Sequence, residues 1–122
     1  MILLDTHVLV WLATGDPRLP EAFRERVAGG EAMSTSAVIA FEYEELHRRG
    51  RLGAGPTFAT VVDLLGLKVE PLPADVWRQV EQLPPIHRDP TDRILVGHAR
   101  ELKATIATAD NAMRRYPVPL AW

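Results

Sequence analysis

Short apolar runs alternate with helical patterns along this chain, and that alternation restricts the folds open to it. Ile2-Leu3-Leu4 is a strand-like run stopped by Asp5. A helical stretch follows, with Val8, Trp11 and Leu12 on one face, and Gly15-Asp16-Pro17 breaks it. Residues 21–27 read as a second helix closed by Gly29-Gly30, and residues 31–34 as a strand. Ser36 is placed to cap a helix that runs to Arg49, where Gly50 stops it. Residues 56–65 are predicted helical, 68–70 a strand, and 74–83 a helix ended by Pro84-Pro85. Asp89-Pro90-Thr91-Asp92 supplies a cap, a proline at the first helical position and an acid in the first turn, so a helix is predicted from there to Leu102. Strands at 104–107 and 118–121 flank a helical turn at 111–115. Strands separated by helices imply an α/β fold of three layers: a mostly parallel sheet with helices on both faces.

The 122 residues suffice for one domain, residues 1–122, and are too few for two. There is no cysteine, which removes disulfides, thiolate zinc sites and cysteine nucleophiles together and fits a reducing cytoplasm. No apolar run is long enough to cross a membrane. The opening Met1-Ile2-Leu3-Leu4-Asp5 lacks the basic start of a signal peptide, so a cytoplasmic protein is expected. The net charge of −2 carries no strong basic signal for nucleic acid. Most cations are arginines, however, and several stand close together, as at Arg48, Arg49 and Arg51 or Arg114 and Arg115. A guanidinium fork suits phosphate. Arg88 and Arg93 are the first candidates for holding a nucleic-acid phosphate, because they neighbour Asp92.

In folds of this class, ligands gather at the carboxyl ends of the strands. Asp5 ends the first strand, Asp110 lies just past a later one, and Asp92 opens the helix leading into that strand. Glu42 shares an apolar helical stripe with Ile39, Tyr43 and Leu46. A carboxylate on such a stripe needs a cation or a proton. Each acid also has an ordinary structural role open to it. Asp5 and Asp89 fit as helix caps, Asp92 suits the helix dipole, Asp110 suits a turn, and Glu42 is open to pairing with an arginine. Several acids at one edge repel one another, and a divalent ion relieves this. Oxygen donors without Cys or paired His favour Mg²⁺ or Mn²⁺. Such an ion orients and activates a water, and one carboxylate is available to take the proton. Without metal, the Glu42 pKa should be raised and metal affinity should fall as pH drops. The four histidines show no metal-ligand spacing, and His98 is expected in the core.

Taken together, these residues resemble the PIN-domain family, and within it the VapC-type toxins of bacterial toxin–antitoxin pairs. The likeness rests on Leu3-Leu4-Asp5-Thr6-His7, Ser36-Ala37-Val38-Ile39-Ala40-Phe41-Glu42, His87-Arg88-Asp89-Pro90-Thr91-Asp92-Arg93 and Thr108-Ala109-Asp110, in that order, and on the ending Tyr116–Trp122. It covers almost the whole chain. The resemblance implies a parallel sheet of order 3-2-1-4-5. It also implies that Asp5, Glu42, Asp92 and Asp110 bind Mg²⁺ or Mn²⁺ and hydrolyse RNA phosphodiester bonds. Thr6 and Thr108 fall at supporting positions, and Asp89 is common beside the third acid. A homodimer, inhibition by a cognate antitoxin, and transfer or ribosomal RNA as substrate are implied as well. Phe41 stands where relatives often carry tryptophan.

Two phosphate-handling alternatives fit less well. A phosphoacceptor domain needs paired acids after its first strand, and Asp5 stands alone. A haloacid-dehalogenase-type phosphatase needs an acid two residues later, where His7 stands. A catalytically silent PIN-like module that binds RNA or protein is the other alternative, and the presence of all four acids argues against it.

Overall fold

The computed structural model describes residues 1–122. Its elements follow the order β1 (Ile2–Leu4), α1 (Thr6–Thr14), α2 (Glu21–Ala28), β2 (Met33–Ser36), α3 (Ala37–Arg48), α4 (Phe58–Leu65), β3 (Lys68–Glu70), α5 (Trp77–Glu81), α6 (Pro90–Leu102) and β4 (Thr105–Ala107). A 3₁₀ turn at Asn111–Arg115 follows. All strand pairs are parallel, in the order β3-β2-β1-β4, with Leu4 opposite Thr35 on one side and Ala107 on the other. Ile2, Leu3 and Leu4 are all completely buried. Successive strand residues point to opposite faces, so helices must cover the sheet on both sides. No helix is long and apolar enough to cross a membrane.

The fifth strand is the main departure from the predicted order. It shrinks to a single bridge between Ile106 and Leu120. The Ile106 amide donates to Pro119 O and the Ala121 amide to Ile106 O, each at 2.9 Å. The next donor toward β4 in a parallel ladder would be residue 119. Proline has no N–H, so the ladder cannot extend upstream.

Three boundaries also move. The second strand is Met33–Ser36, shifted two residues from 31–34, because Glu31 is held by Arg26 at the helix exit, 2.6 Å away. The helix predicted at 74–83 contracts to Trp77–Glu81. Around it the amides of Val76, Arg78, Gln79 and Leu83 reach back three residues, the mark of tight turns. The helix predicted from residue 56 begins at Phe58, with Thr57 as its cap.

Helix α6 packs on α5 through Gly97. A Cβ at that position would lie 2.9 Å from Val80 Cγ2. Gly97→Leu should therefore destabilise the protein by about 1–3 kcal/mol through overpacking, although leucine is the better helix former. Thermal unfolding checks this, and an unchanged or higher midpoint would refute the close packing.

Candidate active site

The sheet order fixes where a site can form. From β1 the chain builds β2 and β3 on one side, then crosses to place β4 on the other. The carboxyl ends of β1 and β4 border the crevice of such a switch point. Asp5 follows β1 directly, and Thr108 follows β4.

Asp5 caps α1, with Oδ1 accepting from the Thr6 amide at 2.7 Å. Its Oδ2 accepts from the Thr108 hydroxyl at 2.6 Å. The Thr108 hydroxyl in turn accepts the Asp110 amide at 3.1 Å, so the turn after β4 is tied to the end of β1. Asp110 caps the 3₁₀ turn, its Oδ1 accepting from the Ala112 amide at 2.9 Å. Glu42 reaches in from α3, where the buried Thr6 hydroxyl donates to its Oε2 at 2.8 Å. Its partner is therefore a threonine and not an arginine. Asp92 stands half-buried in the first turn of α6. Asp89, exposed, caps α6 and accepts from the Thr91 amide at 2.8 Å.

The electrostatics place these acids in one field. Burial pushes the Glu42 carboxyl up to about 7, with the charges of Asp5, Asp92 and Asp89 adding to the rise and the Thr6 bond opposing it. Burial likewise lifts Asp92 to about 6; His87 opposes this, while Asp5, Asp89 and Asp110 reinforce it. Asp5 is raised by burial against the hydrogen bonds from Thr108 and Thr6. Asp110 differs. Burial works to raise it, but the bonds from His87 and the Ala112 amide outweigh burial and hold it below the ordinary carboxylate value. No lysine or arginine forms an ion pair with any of the four. Clustered acids without a lysine or arginine counter-ion, offering carboxylate oxygens, fit a hard divalent cation.

One neighbour escaped the sequence reading. His87 Nε2 lies 2.6 Å from Asp110 Oδ2, and donor atoms of His87, Asp92 and Asp110 all fall within 4.8 Å of one another. No local periodicity signals this, because the ring's other partner, Tyr116, is 29 residues away.

The two candidate arginines diverge. Arg88 is exposed at the edge of an apolar hollow that Trp77, Val80 and Ile94 also line. Arg93 turns inward and donates to the carbonyls of Pro84, Val80 and Leu83 at the end of α5. His98 is fully buried, with Nδ1 2.8 Å from the Ser36 hydroxyl, and is the core histidine that its helix position predicts.

The sequence profile of the PIN domain matches residues 2–119. The chain belongs to the PIN-domain family. PIN domains are generally nucleases. Two solved structures share the fold. One is VapBC2 from Rickettsia felis, bound to a DNA fragment from their promoter. It is 18% identical, with a TM-score of 0.75 over 98% of this chain and 97% of that one. The other is FitAB bound to the IR36 DNA fragment, at 18% identity and a TM-score of 0.64, covering 98% of this chain and 93% of that one. Among curated protein sequences, none matches significantly.

Proposed function

We propose that this PIN domain is a metal-dependent endoribonuclease, the VapC-like toxin of a toxin–antitoxin pair. The observation that carries the reading is the meeting of Asp5, Glu42, Asp92 and Asp110. They arrive from four separate elements: Glu42 is raised by Asp5 and Asp92, Asp92 by Asp5 and Asp110, and Asp5 by Asp110, with no lysine or arginine to balance them. Asp5, Asp92 and Asp110 would hold Mg²⁺ or Mn²⁺, with Glu42 joining directly or through water. A bound ion there would supply Lewis-acid polarisation and an activated water for phosphodiester hydrolysis.

The chain's own groups have distinct tasks. Thr108 holds Asp5 and Thr6 holds Glu42, so neither carboxylate is free to swing. With Oε2 engaged by Thr6, Glu42 keeps Oε1 for a proton from water. Arg88 is exposed and free of hydrogen-bonded partners, which suits an RNA phosphate. Arg93 shapes the same rim from beneath. The two VapBC2 and FitAB neighbours support an antitoxin partner. A homodimer acting in the cytoplasm on transfer or ribosomal RNA completes the reading.

The test is incubation of the purified protein with total bacterial RNA, with Mg²⁺ or Mn²⁺ and, in parallel, with chelator. Discrete fragments that appear only with metal are expected. Intact RNA beside a folded, metal-binding protein would favour the silent binding module instead.

A further inference from the structure

The geometry points to His87 as a positioning residue: Tyr116 sets its ring, and the ring holds the Asp110 carboxylate in place for the divalent cation without being a ligand itself. The inference rests on the metal-centre reading above and assigns a role inside it.

The hydrogen bonds decide the ring's tautomer. Tyr116 is buried, and its ring stacks on His87 with centroids 5.4 Å apart and an interplanar angle of 9°. Its hydroxyl oxygen accepts the His87 backbone amide at 3.0 Å and lies 2.8 Å from Nδ1. The Asp110 carboxylate can only accept, so it requires the proton on Nε2, and the phenolic proton goes to Nδ1. Nδ1 is then the acceptor, and the neutral ring carries its proton on Nε2, which donates to Asp110 Oδ2 at 2.6 Å. A neutral imidazole has one in-plane lone pair, and here it faces Tyr116. None remains for a cation, although the ring stands within reach of Asp92 and Asp110. Asp110 Oδ1 meanwhile accepts the Ala112 amide. Both oxygens of this acid are thus aimed by fixed donors. One donor belongs to the segment before α6, and that segment is pinned through Tyr116 to the chain after β4.

Groups that hydrogen-bond to ligating carboxylates typically contribute 10–100-fold to metal affinity. The experiment has two arms. The first is ¹⁵N imidazole NMR of the metal-free protein at a pH where the ring is neutral. His87 should show the Nε2–H form. The second is Mn²⁺ binding by calorimetry, with pulsed EPR for directly bound nitrogen. His87→Ala should weaken Mn²⁺ about 10–100-fold. His87→Gln, which keeps an N–H for Asp110, should recover most of the loss, and no bound-nitrogen signal should appear. An Nδ1–H tautomer overturns the assignment. So does nitrogen coupling to Mn²⁺ that vanishes in His87→Gln, because His87 is then a ligand. Unchanged affinity in His87→Ala overturns the role of His87 alone. A wild-type protein that binds no Mn²⁺ overturns the metal centre itself.

Discussion

Asp5→Asn should reduce RNA cleavage by about 10³-fold or more while leaving the protein folded. The two halves of this expectation have separate physical grounds. Asparagine caps a helix about as well as aspartate, so the bond from the Thr6 amide that opens α1 is kept. The Thr108 hydroxyl, which donates to Asp5 Oδ2, can rotate and accept from an amide nitrogen there. Nothing in the packing changes, because the two side chains have the same shape. The charge changes completely. Asp5 stands at the switch point of the sheet, and its carboxylate faces those of Glu42, Asp92 and Asp110. Removing it takes a negative oxygen from the cation and removes one negative neighbour from Glu42 and Asp92. Cleavage measured beside circular dichroism and thermal unfolding separates the effects. Wild-type cleavage in a folded Asp5→Asn would rule out the proposed centre, and an unfolded variant would contradict the capping argument.

Much of this architecture could be read from local pattern. The caps Ser36 and Asp89, the proline at the start of α6 and the apolar run Ile2-Leu3-Leu4 are local signals, and the structure realises each of them. What the sequence obscured lies in longer-range terms. Val118 to Ala121 has strand-like residues, but the missing N–H of Pro119 acts only once the segment is laid against β4. Residues 74–83 have helical spacing, yet three-residue hydrogen bonds at both ends tighten most of it into turns. At the site, the stripe position of Glu42 showed that the carboxylate is shielded, but not that Thr6 donates to it. His87 lies in a segment of no regular structure, and its place depends on Tyr116 and Asp110, both far along the chain. Arg93 looked like a phosphate ligand because it follows Asp92, but helical geometry turns it toward the carbonyls of Val80, Leu83 and Pro84.

Metal-free protein should lose stability as the pH rises from about 4 to about 7 on account of these acids, and Mg²⁺ or Mn²⁺ should restore it. Glu42 moves from 4.5 to about 7 on folding, and Asp92 from 3.8 to about 6. Between those limits the folded protein holds protons that the unfolded chain has released. Stability falls with pH wherever the folded state binds more protons, so the contribution of both groups is complete below the unfolded values and is lost through the folded ones. Asp110 has the opposite sign, but its pKa lies below 3.8, so its effect falls beneath this window. His98 opposes the trend inside the window. Burial lowers its pKa from 6.5, so it favours the folded state as the pH climbs toward that value. Comparison of wild type with Glu42→Gln cancels His98 and isolates the acid. Glu42 is half-exposed, so solvent screening holds its share to on the order of 1 kcal/mol, about 4 °C for a chain of this length. Glu42→Gln should therefore melt higher than wild type at pH 7.5 without metal, and equally at pH 4. Metal has the larger effect. At a hundredfold excess over Kd it should stabilise the wild type by about 2.7 kcal/mol, on the order of 10 °C, with little gain in Glu42→Gln. The physical reason is shared by both results: the arrangement that collects the cation is the one that costs stability without it. Melting curves for both proteins across this pH range, with metal and with chelator, decide the matter. A wild type that gains on Glu42→Gln as the pH rises, or that ignores Mg²⁺ and Mn²⁺ at pH 7.5, would show that these carboxylates do not share one ion.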